Sequence, residues 1–417
     1  MTRSIRQIVS EQEYLEYGRL QASAYPAIPV PAETSAQRTR ELAEKDTTSS
    51  FWGVFDEEQL LGCMRLLDFS MNYFGTMIPA GGVGSVAVDL LHKKQRVAFE
   101  LIQFFLDYCA QKGQQLAILY PFRPDFYHKM GFGYGQKGNL YSFTPASLPS
   151  TKSRPQMVYL TQDDIPLLTQ FCADYVAHHH GYCMKSQYEI ESLVKAHSAN
   201  RTLVGYKVGG KLKAYIAFGF VRAHETNFVK NNLNIREWLW DGNDALTACC
   251  SFLHAQADQI NRITFSTQDP DFHLLLGDVR NGSDNMFRPV YHESNTAGVG
   301  LMYRIVSVER FLKGGAASRD YGGMTASVEL QVTDTFRTAN SGRYHLSFEQ
   351  GRLNVHDQPQ PDAIALGIDI ADLSSLLVGS VDIAALYRFG RVQLDPQHLP
   401  TLQRLLLADR PICITSF

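Results

Sequence analysis

No stretch of this 417-residue chain is apolar for long enough to span a bilayer, and residues 1–10 (MTRSIRQIVS) lack the apolar run of a signal peptide. The cytoplasm is therefore the expected compartment. There is no CxxC pair. The seven cysteines (Cys63, Cys109, Cys172, Cys183, Cys249, Cys250 and Cys413) are scattered and odd in number, so neither a zinc ribbon nor a redox dithiol is signalled. There is no overall basic field either: 39 Lys and Arg stand against 42 Asp and Glu, a net charge of −3. Nothing in that balance recruits nucleic acid or an anionic membrane, while a cationic substrate is tolerated. Metal patterns fail as well. His178, His179 and His180 are adjacent, and on a helix they point about 100° apart. Asp269 and Asp271 open a calcium-loop spacing, but Leu274 and Arg280 stand where its glycine and glutamate belong. Gly81-Gly82-Val83-Gly84 precedes a strand instead of opening a helix, so it is no dinucleotide fingerprint.

What is present is the composition of a globular protein, 45% apolar and 19% charged, in a chain too long for one core. Two stretches read as linkers. Residues 146–156 (ASLPSTKSRPQ) concentrate Ser, Pro and charge, and residues 312–325 (LKGGAASRDYGGMT) concentrate Gly and Ser. They divide the chain into residues 1–150, 151–313 and 314–417. In the first part, Phe51–Phe55 and Gln59–Leu67 flank Asp56-Glu57-Glu58 as a hairpin. Gly84–Val88 reads as a buried strand. His92–Lys112 reads as a helix with its apolar stripe at Ala98, Leu101, Ile102, Phe105 and Cys109, ended by Gly113. Leu116–Tyr120 is the next strand. The second part repeats the order: a hairpin over residues 202–221, a helix over 244–259 and a strand over 262–266, after a capping-box start at Thr161. The third part reads as a small α+β layer, with a hairpin over 344–355, a strand over 363–368 and helices over 369–377, 380–389 and 399–408.

Chemistry concentrates in the first part. The strand Val86-Ala87-Val88 runs through a basic turn (Lys93, Lys94, Arg96) into a helix, an arrangement that suits a pyrophosphate because free backbone N–H groups, the helix dipole and formal charge converge. A solvated basic helix start satisfies the same spacing. After the next strand, residues 121–135 are rich in aromatics and glycine, with Tyr127 at the centre. A buried phenol, ordinarily titrating near 10, can protonate a thiolate leaving group; it can equally be a packing residue.

Val86-Ala87-Val88, the basic turn into a helix, and Phe126-Tyr-His-Lys-Met-Gly-Phe-Gly-Tyr134 together resemble the acetyl-CoA signature of GCN5-related N-acetyltransferases (GNAT). The resemblance implies that Val86, Ala87 and Val88 bind the pantetheine amides, that Lys94, Gln95, Arg96, Val97, Ala98 and Phe99 bind the pyrophosphate, and that Phe122 and Arg123 flank the cosubstrate. Tyr127 would be the general acid. One position departs: Arg96 stands where the family has a glycine, and it either offsets the loss with charge or loosens the geometry.

The whole layout resembles the enhanced-intracellular-survival family. Landmarks in the third part are Asp334, Asn340-Ser-Gly342, Leu376-Leu-Val-Gly379 and Phe389-Gly-Arg391, with Phe417 at the end. The implied fold combines α/β and α+β: two tandem GNAT-like domains, each a mixed sheet flanked by helices, then a sterol-carrier-like domain. The implied base is the carboxylate of Phe417, anchored by a strand-like segment, Ile412–Phe417. The implied acceptor is an amine (aminoglycoside, protein lysine or polyamine), the cosubstrate acetyl-CoA without a metal, and the assembly a homohexamer. Trp240-Asp241-Gly-Asn-Asp244 sets carboxylates where the second copy would need a pyrophosphate site, so that copy is read as scaffold. Tyr25, Phe51, Trp52 and Tyr73 are candidates for the acceptor pocket. The competing readings are a lipid-binding protein using the third domain and a CoA sensor, the latter motivated by Arg96.

Overall fold

The computed structural model describes residues 3–27, 30–151, 156–195, 201–288 and 290–415. The first unit runs β1 (Ser4–Gln7), α1 (Glu11–Ala24), α2 (Ala32–Lys45), β2 (Ser49–Asp56), β3 (Gln59–Tyr73), β4 (Thr76–Val88), α3 (Val97–Gln111), β5 (Leu116–Leu119), α4 (Pro124–His128) and β6 (Gly133–Tyr134). The second runs β7 (Gly138–Phe143), β8 (Met157–Tyr159), α5 (Ile165–His178), α6 (Gln187–Lys195), β9 (Thr202–Val208), β10 (Lys211–Arg222), β11 (Asn231–Trp240), α7 (Asn243–His254), β12 (Ile260–Thr267), β13 (Met286–Phe287), β14 (Tyr291–His292) and β15 (Asn295–Gly298). The chain closes with β16 (Met302–Ile305), α8 (Val308–Phe311), β17 (Ala326–Thr333), β18 (Gly342–Glu349), β19 (Arg352–His356), β20 (Ile364–Asp369), α9 (Ile370–Leu377), α10 (Ile383–Arg388), β21 (Val392–Gln393) and α11 (Leu399–Leu405).

Among the described residues these form three large sheets, ordered β1-β2-β3-β4-β5-β16-β6, β15-β7-β12-β11-β10-β9-β8 and β19-β18-β17-β20-β21, and a separate two-stranded β13-β14 ribbon. They do not follow the linear division at residues 150 and 313. β7 already pairs with β12 in the second sheet, and β16 returns to lie between β5 and β6 in the first. The first two units are therefore interlocked by two crossings near residues 135 and 300. The topology β9-β10-β11-α7-β12 repeats β2-β3-β4-α3-β5, with the last strand pair parallel in both. That is the duplication the repeated pattern predicts.

Local chemistry explains most elements. α1 opens with a reciprocal capping box between Ser10 and Glu13. α3 buries Val97, Leu101, Ile102, Phe105, Leu106 and Cys109 against the sheet and ends before Gly113, whose φ is +73°. It starts at Val97 and not at His92: residues 90–92 form a single 3₁₀ turn, and Lys94 and Arg96, both at φ 66°, hold left-handed backbone that no helix interior accepts. The expected linker 312–325 is another difference. Residues 312–316 continue α8 as a wide helical turn, and Leu312, Gly315 and Ala316 are buried. Gly315 N–H donates to Gln115 Oε1 at 2.8 Å, so glycine serves close packing there and not chain flexibility.

The third domain is docked on the first. Tyr73, fully buried, donates its hydroxyl to Leu377 O at 2.7 Å. α9 lies so close to β6 that a Cβ at Gly133 would sit 1.9 Å from Ala371 O. Arg304 on β16 and Asp334 after β17 form an ion pair at 2.6 Å, both side chains without solvent exposure. No helix among the described residues is long and apolar enough to cross a membrane.

Candidate active site

The site begins with a break in a sheet. β4 pairs with β5 in parallel only from Ala80↔Leu116 to Val83↔Leu119. Just beyond, the β3–β4 register shifts between Cys63 and Arg65, and Ser85 takes φ 52°. This is a β-bulge, which bends β4 away from β5. Past Val83, among the described residues, no strand pairs with the edge of β4 that faced β5. Val86, Ala87 and Val88 lie on that stretch. Val86 and Val88 pack on the α3 side and Ala87 on the α1 side. Helix α1 fixes the bulge from its own side: Gln21 Nε2 donates to Ser85 O at 2.7 Å and the Tyr25 hydroxyl donates to Val86 O at 3.0 Å.

The chain then reaches the start of α3. No side chain caps this helix, so its first backbone N–H groups, those of Val97, Ala98 and Phe99 among them, are left for a ligand or water. Lys93, Lys94, Gln95 and Arg96 are exposed around it. Gln95 is already engaged, accepting from Arg3 at its carbonyl (2.9 Å) and at Oε1 (3.1 Å). Arg96 adopts φ 66°, ψ 6°, the conformation in which glycine is at ease, and its guanidinium lies 4.4 Å from the Phe99 ring centre. The departure from the family pattern thus leaves the left-handed turn in place, at the cost of a strained arginine.

On the far side of the gap, α4 carries Tyr127. The residue is 3% exposed and meets the rings of Phe126 (5.2 Å), Phe122 and Phe132 (both 6.1 Å) edge-on. Burial, with the neighbouring Tyr25 phenol, pushes its pKa above the ordinary value. The phenol is therefore protonated at neutral pH, the form a proton donor requires. Phe122 is exposed, and Arg123 is held by Asp125 at 2.6 Å.

The C-terminal tail reaches the same gap. Ile412 N–H donates to His180 O (3.1 Å), Cys413 N–H to Gln268 Oε1 (2.9 Å), and the Tyr120 hydroxyl at the end of β5 donates to Thr415 O (3.1 Å). Burial alternates along residues 411–415 as expected of a strand, yet the segment joins no sheet. Side chains and single backbone bonds hold it instead. Phe417, the expected base, lies outside the described residues.

A cavity of about 260 Å³ opens on the α1–α2 face of the bulge, lined by Tyr17, Gln21, Tyr25, Phe51, Arg65 and Ser85 among others. Sequence reasoning named Tyr25 and Phe51 here. Trp52 instead packs tilted against Phe104 and edge-on to Tyr108 under α3, and Tyr73 is spent on the third domain, because alternate residues of a strand face opposite sides. Tyr17, Gln21 and Arg65 were missed. Only the packing of α1 and α2 over β3 brings them together.

The second copy keeps the strand order but not the slot. β11 and β12 part after Ile235↔Phe265, and Trp238 packs there against Phe265 (5.7 Å) and Phe272 (6.2 Å). The three histidines go separate ways: His178 bonds Asp174 O, His179 stacks on Tyr175, and His180 stacks on Phe74. A cavity inside the third domain measures about 30 Å³ and is lined by leucines, Val328, Tyr321 and Phe348. That is room for a water molecule or two, not for a lipid.

Comparison with known proteins agrees with this fold. Residues 4–135 match the acetyltransferase (GNAT) domain family and residues 308–414 the sterol carrier protein domain family. Over 135 residues the chain is 30% identical to a protein of Streptomyces coelicolor named as an uncharacterized N-acetyltransferase; the matched stretch is 32% of either chain. Among solved structures, a GCN5-related N-acetyltransferase from Anabaena variabilis superposes with a TM-score of 0.82 at 19% identity, covering 100% of both chains. A probable N-acyltransferase from Enterococcus faecalis gives 0.80 at 18% identity, and Eis1 from Mycobacterium abscessus 0.75 at 18%, again over 100% of both chains. At these identities the likeness is one of fold.

Proposed function

We propose that this chain, which joins an acetyltransferase (GNAT) domain to a sterol carrier protein domain, is an acetyl-CoA-dependent N-acetyltransferase acting on an amine. The observation that carries the reading is the bulge at Ser85. It leaves one edge of residues 85–88 without a strand partner beside an uncapped helix start, with a protonated, buried Tyr127 across the gap.

In this reading the edge of Val86–Val88 holds the pantetheine amides as a neighbouring strand would. The N-terminus of α3, with Lys94 and Arg96, holds the pyrophosphate. Phe122 flanks the cosubstrate, and Arg123 does so through the ion pair it shares with Asp125. The amine enters from the α1–α2 face and attacks the thioester carbonyl, whose oxyanion takes backbone N–H donors of the bulge. Tyr127 protonates the departing thiolate. The base is the carboxylate of Phe417. Thr415 is fixed beside Tyr120 at the end of β5, and two further residues span at most about 7 Å. The resemblance names aminoglycosides, protein lysines and polyamines as acceptors and a hexamer as the assembly; light scattering measures the latter.

The test is CoA-thiol release from acetyl-CoA over a panel of amines, for the native chain and for one extended by a few residues beyond Phe417. Activity that collapses on extension supports a carboxylate base at Phe417. Equal activity removes Phe417 from the mechanism and leaves the transferase.

A further inference from the structure

The acceptor cavity has the wrong sign for a polycation. Its lining includes two charged side chains, Arg38 on α2 and Arg65 on β3, and, among the described residues, no carboxylate. Arg65 is opposite Gly84 in the β3–β4 register, so it sits one strand away from the bulge where the amine must arrive. Its side chain is 16% exposed and held in place: Nε and Nη2 donate to Ser49 Oγ at 3.1 and 2.7 Å. Asp46 forms an ion pair with it at 3.6 Å, long for such a pair, and Asp46 also accepts from Thr48 N–H, Thr48 Oγ1 and Ser49 Oγ. Glu189 on α6 is the next acid to act on Arg65, from a position where it also caps its own helix at Ser186 N–H, 2.8 Å away. Arg38 is exposed at the cavity rim, and among the described residues no ion pair engages it.

A guanidinium fixed at the wall of a small cavity, with one carboxylate at 3.6 Å outside the lining and a second, unpaired arginine at the rim, leaves net positive charge to receive an anion. The uncharged part of the lining, Tyr17, Gln21, Tyr25 and Ser85, lies toward the bulge. The cavity of about 260 Å³ suits a small molecule, with the amine at one end and the anion at the other. A polyamine or an aminoglycoside would bring several positive charges against two arginines, with only the Phe417 carboxylate of the proposed mechanism to receive them.

We infer that the acceptor is a small amine that also carries an anionic group, carboxylate or phosphate, received by Arg65 with Arg38 at the rim. This inference rests on the acetyltransferase reading and narrows its substrate.

The experiment compares acceptors in pairs at fixed acetyl-CoA: an α-amino acid against its amide, phosphoethanolamine against ethanolamine, and spermidine alone. The anionic member of a pair is expected to have a KM lower by about tenfold to a hundredfold, the range of a charge-assisted hydrogen bond. Whichever anionic pair responds separates carboxylate from phosphate. Arg65→Met abolishes the preference. Arg65→Lys keeps the charge without the fork and retains part of it. Arg38→Gln, at an exposed position that does not endanger folding, reduces it severalfold. Turnover with spermidine or the neutral members that equals or exceeds the anionic ones overturns the inference and leaves the transferase intact. If no amine turns over, calorimetry with the same amines and CoA decides: anionic binding that weakens in Arg38→Gln keeps the cavity's anion role and removes the transferase reading, while no anionic binding overturns both.

Discussion

Replacing Asp334 by Asn tests how the third domain is held on the first. Arg304 and Asp334 share an ion pair at 2.6 Å with no solvent exposure on either side. Asp334 Oδ1 also accepts from Phe336 N–H (3.0 Å) and Arg337 N–H (2.9 Å), and Oδ2 from Asn340 Nδ2 (3.0 Å). Asparagine keeps the shape and the Oδ1 bonds. On the other side it sets an NH₂ against two donors and leaves the guanidinium without its counter-charge. Burial already draws the Arg304 pKa down to about 10, and Asp334 is the chief opposing influence. Removing one partner of such a pair costs about 3–5 kcal/mol, a large part of the 5–15 kcal/mol that usually separates folded from unfolded. Arg304→Met together with Asp334→Asn removes both charges and is expected to recover most of that loss. The three tryptophans, Trp52, Trp238 and Trp240, lie outside the third domain, so fluorescence would miss its release. Hydrogen exchange over residues 326–369 reads it directly: protection should fall in Asp334→Asn and return in the double variant. A single variant that loses less than about 1 kcal/mol, or a double variant as weak as the sum of the two, would refute the argument.

Other expectations are as direct. Arg96→Gly should be more stable than Arg96→Ala by about 1 kcal/mol, the reverse of a helix interior, because alanine keeps the left-handed Cβ strain; urea titration of the two variants checks it. Gly133→Ala should weaken docking of α9 on β6 by a few kcal/mol, seen as faster proteolysis of the third domain, since the new methyl meets Ala371 O. Burial would raise the Glu13 pKa, but the N–H groups of Ser10 and Val9 and the Arg6 guanidinium outweigh it and hold the group at about 2, against 4.5 ordinarily. Its cap therefore stabilises α1 above pH 4.5 and is lost as pH falls toward 2, so Glu13→Gln should cost about 1 kcal/mol at pH 7 and little near pH 2.5 in chemical denaturation.

Features set by local chemistry were legible in the sequence. The β2–β3 hairpin turns at Glu57 and the α3 stripe faces the sheet; the aromatic-glycine run around Tyr127, by contrast, gave no sign of the short helix that carries it. Features set by distant partners were not. Alternation marks Gly138–Phe143 and Met302–Ile305 as strands without saying which sheet receives them, and each crosses to the other unit. A Gly-Ser composition hid the turn at Leu312–Ala316, whose glycines serve contact with Gln115. Residue types alone did not mark the bulge or the turn after it, because serine, lysine and arginine occupy left-handed positions that glycine usually marks. Arg65 gave no signal at all. Its meaning comes from α1 and α2 closing a cavity over it.

The central claim is acetyl transfer through Tyr127, and one comparison tests it most directly: CoA-thiol release with the amine panel, native chain against Tyr127→Phe. The substitution removes one hydroxyl from a buried ring and disturbs little packing. The account predicts turnover with at least one amine, and a kcat lower by about 10²–10⁴ in the variant, the contribution of a positioned general acid. Full turnover in Tyr127→Phe would contradict the assignment of the acid, and no turnover with any amine in the native chain would contradict the account as a whole.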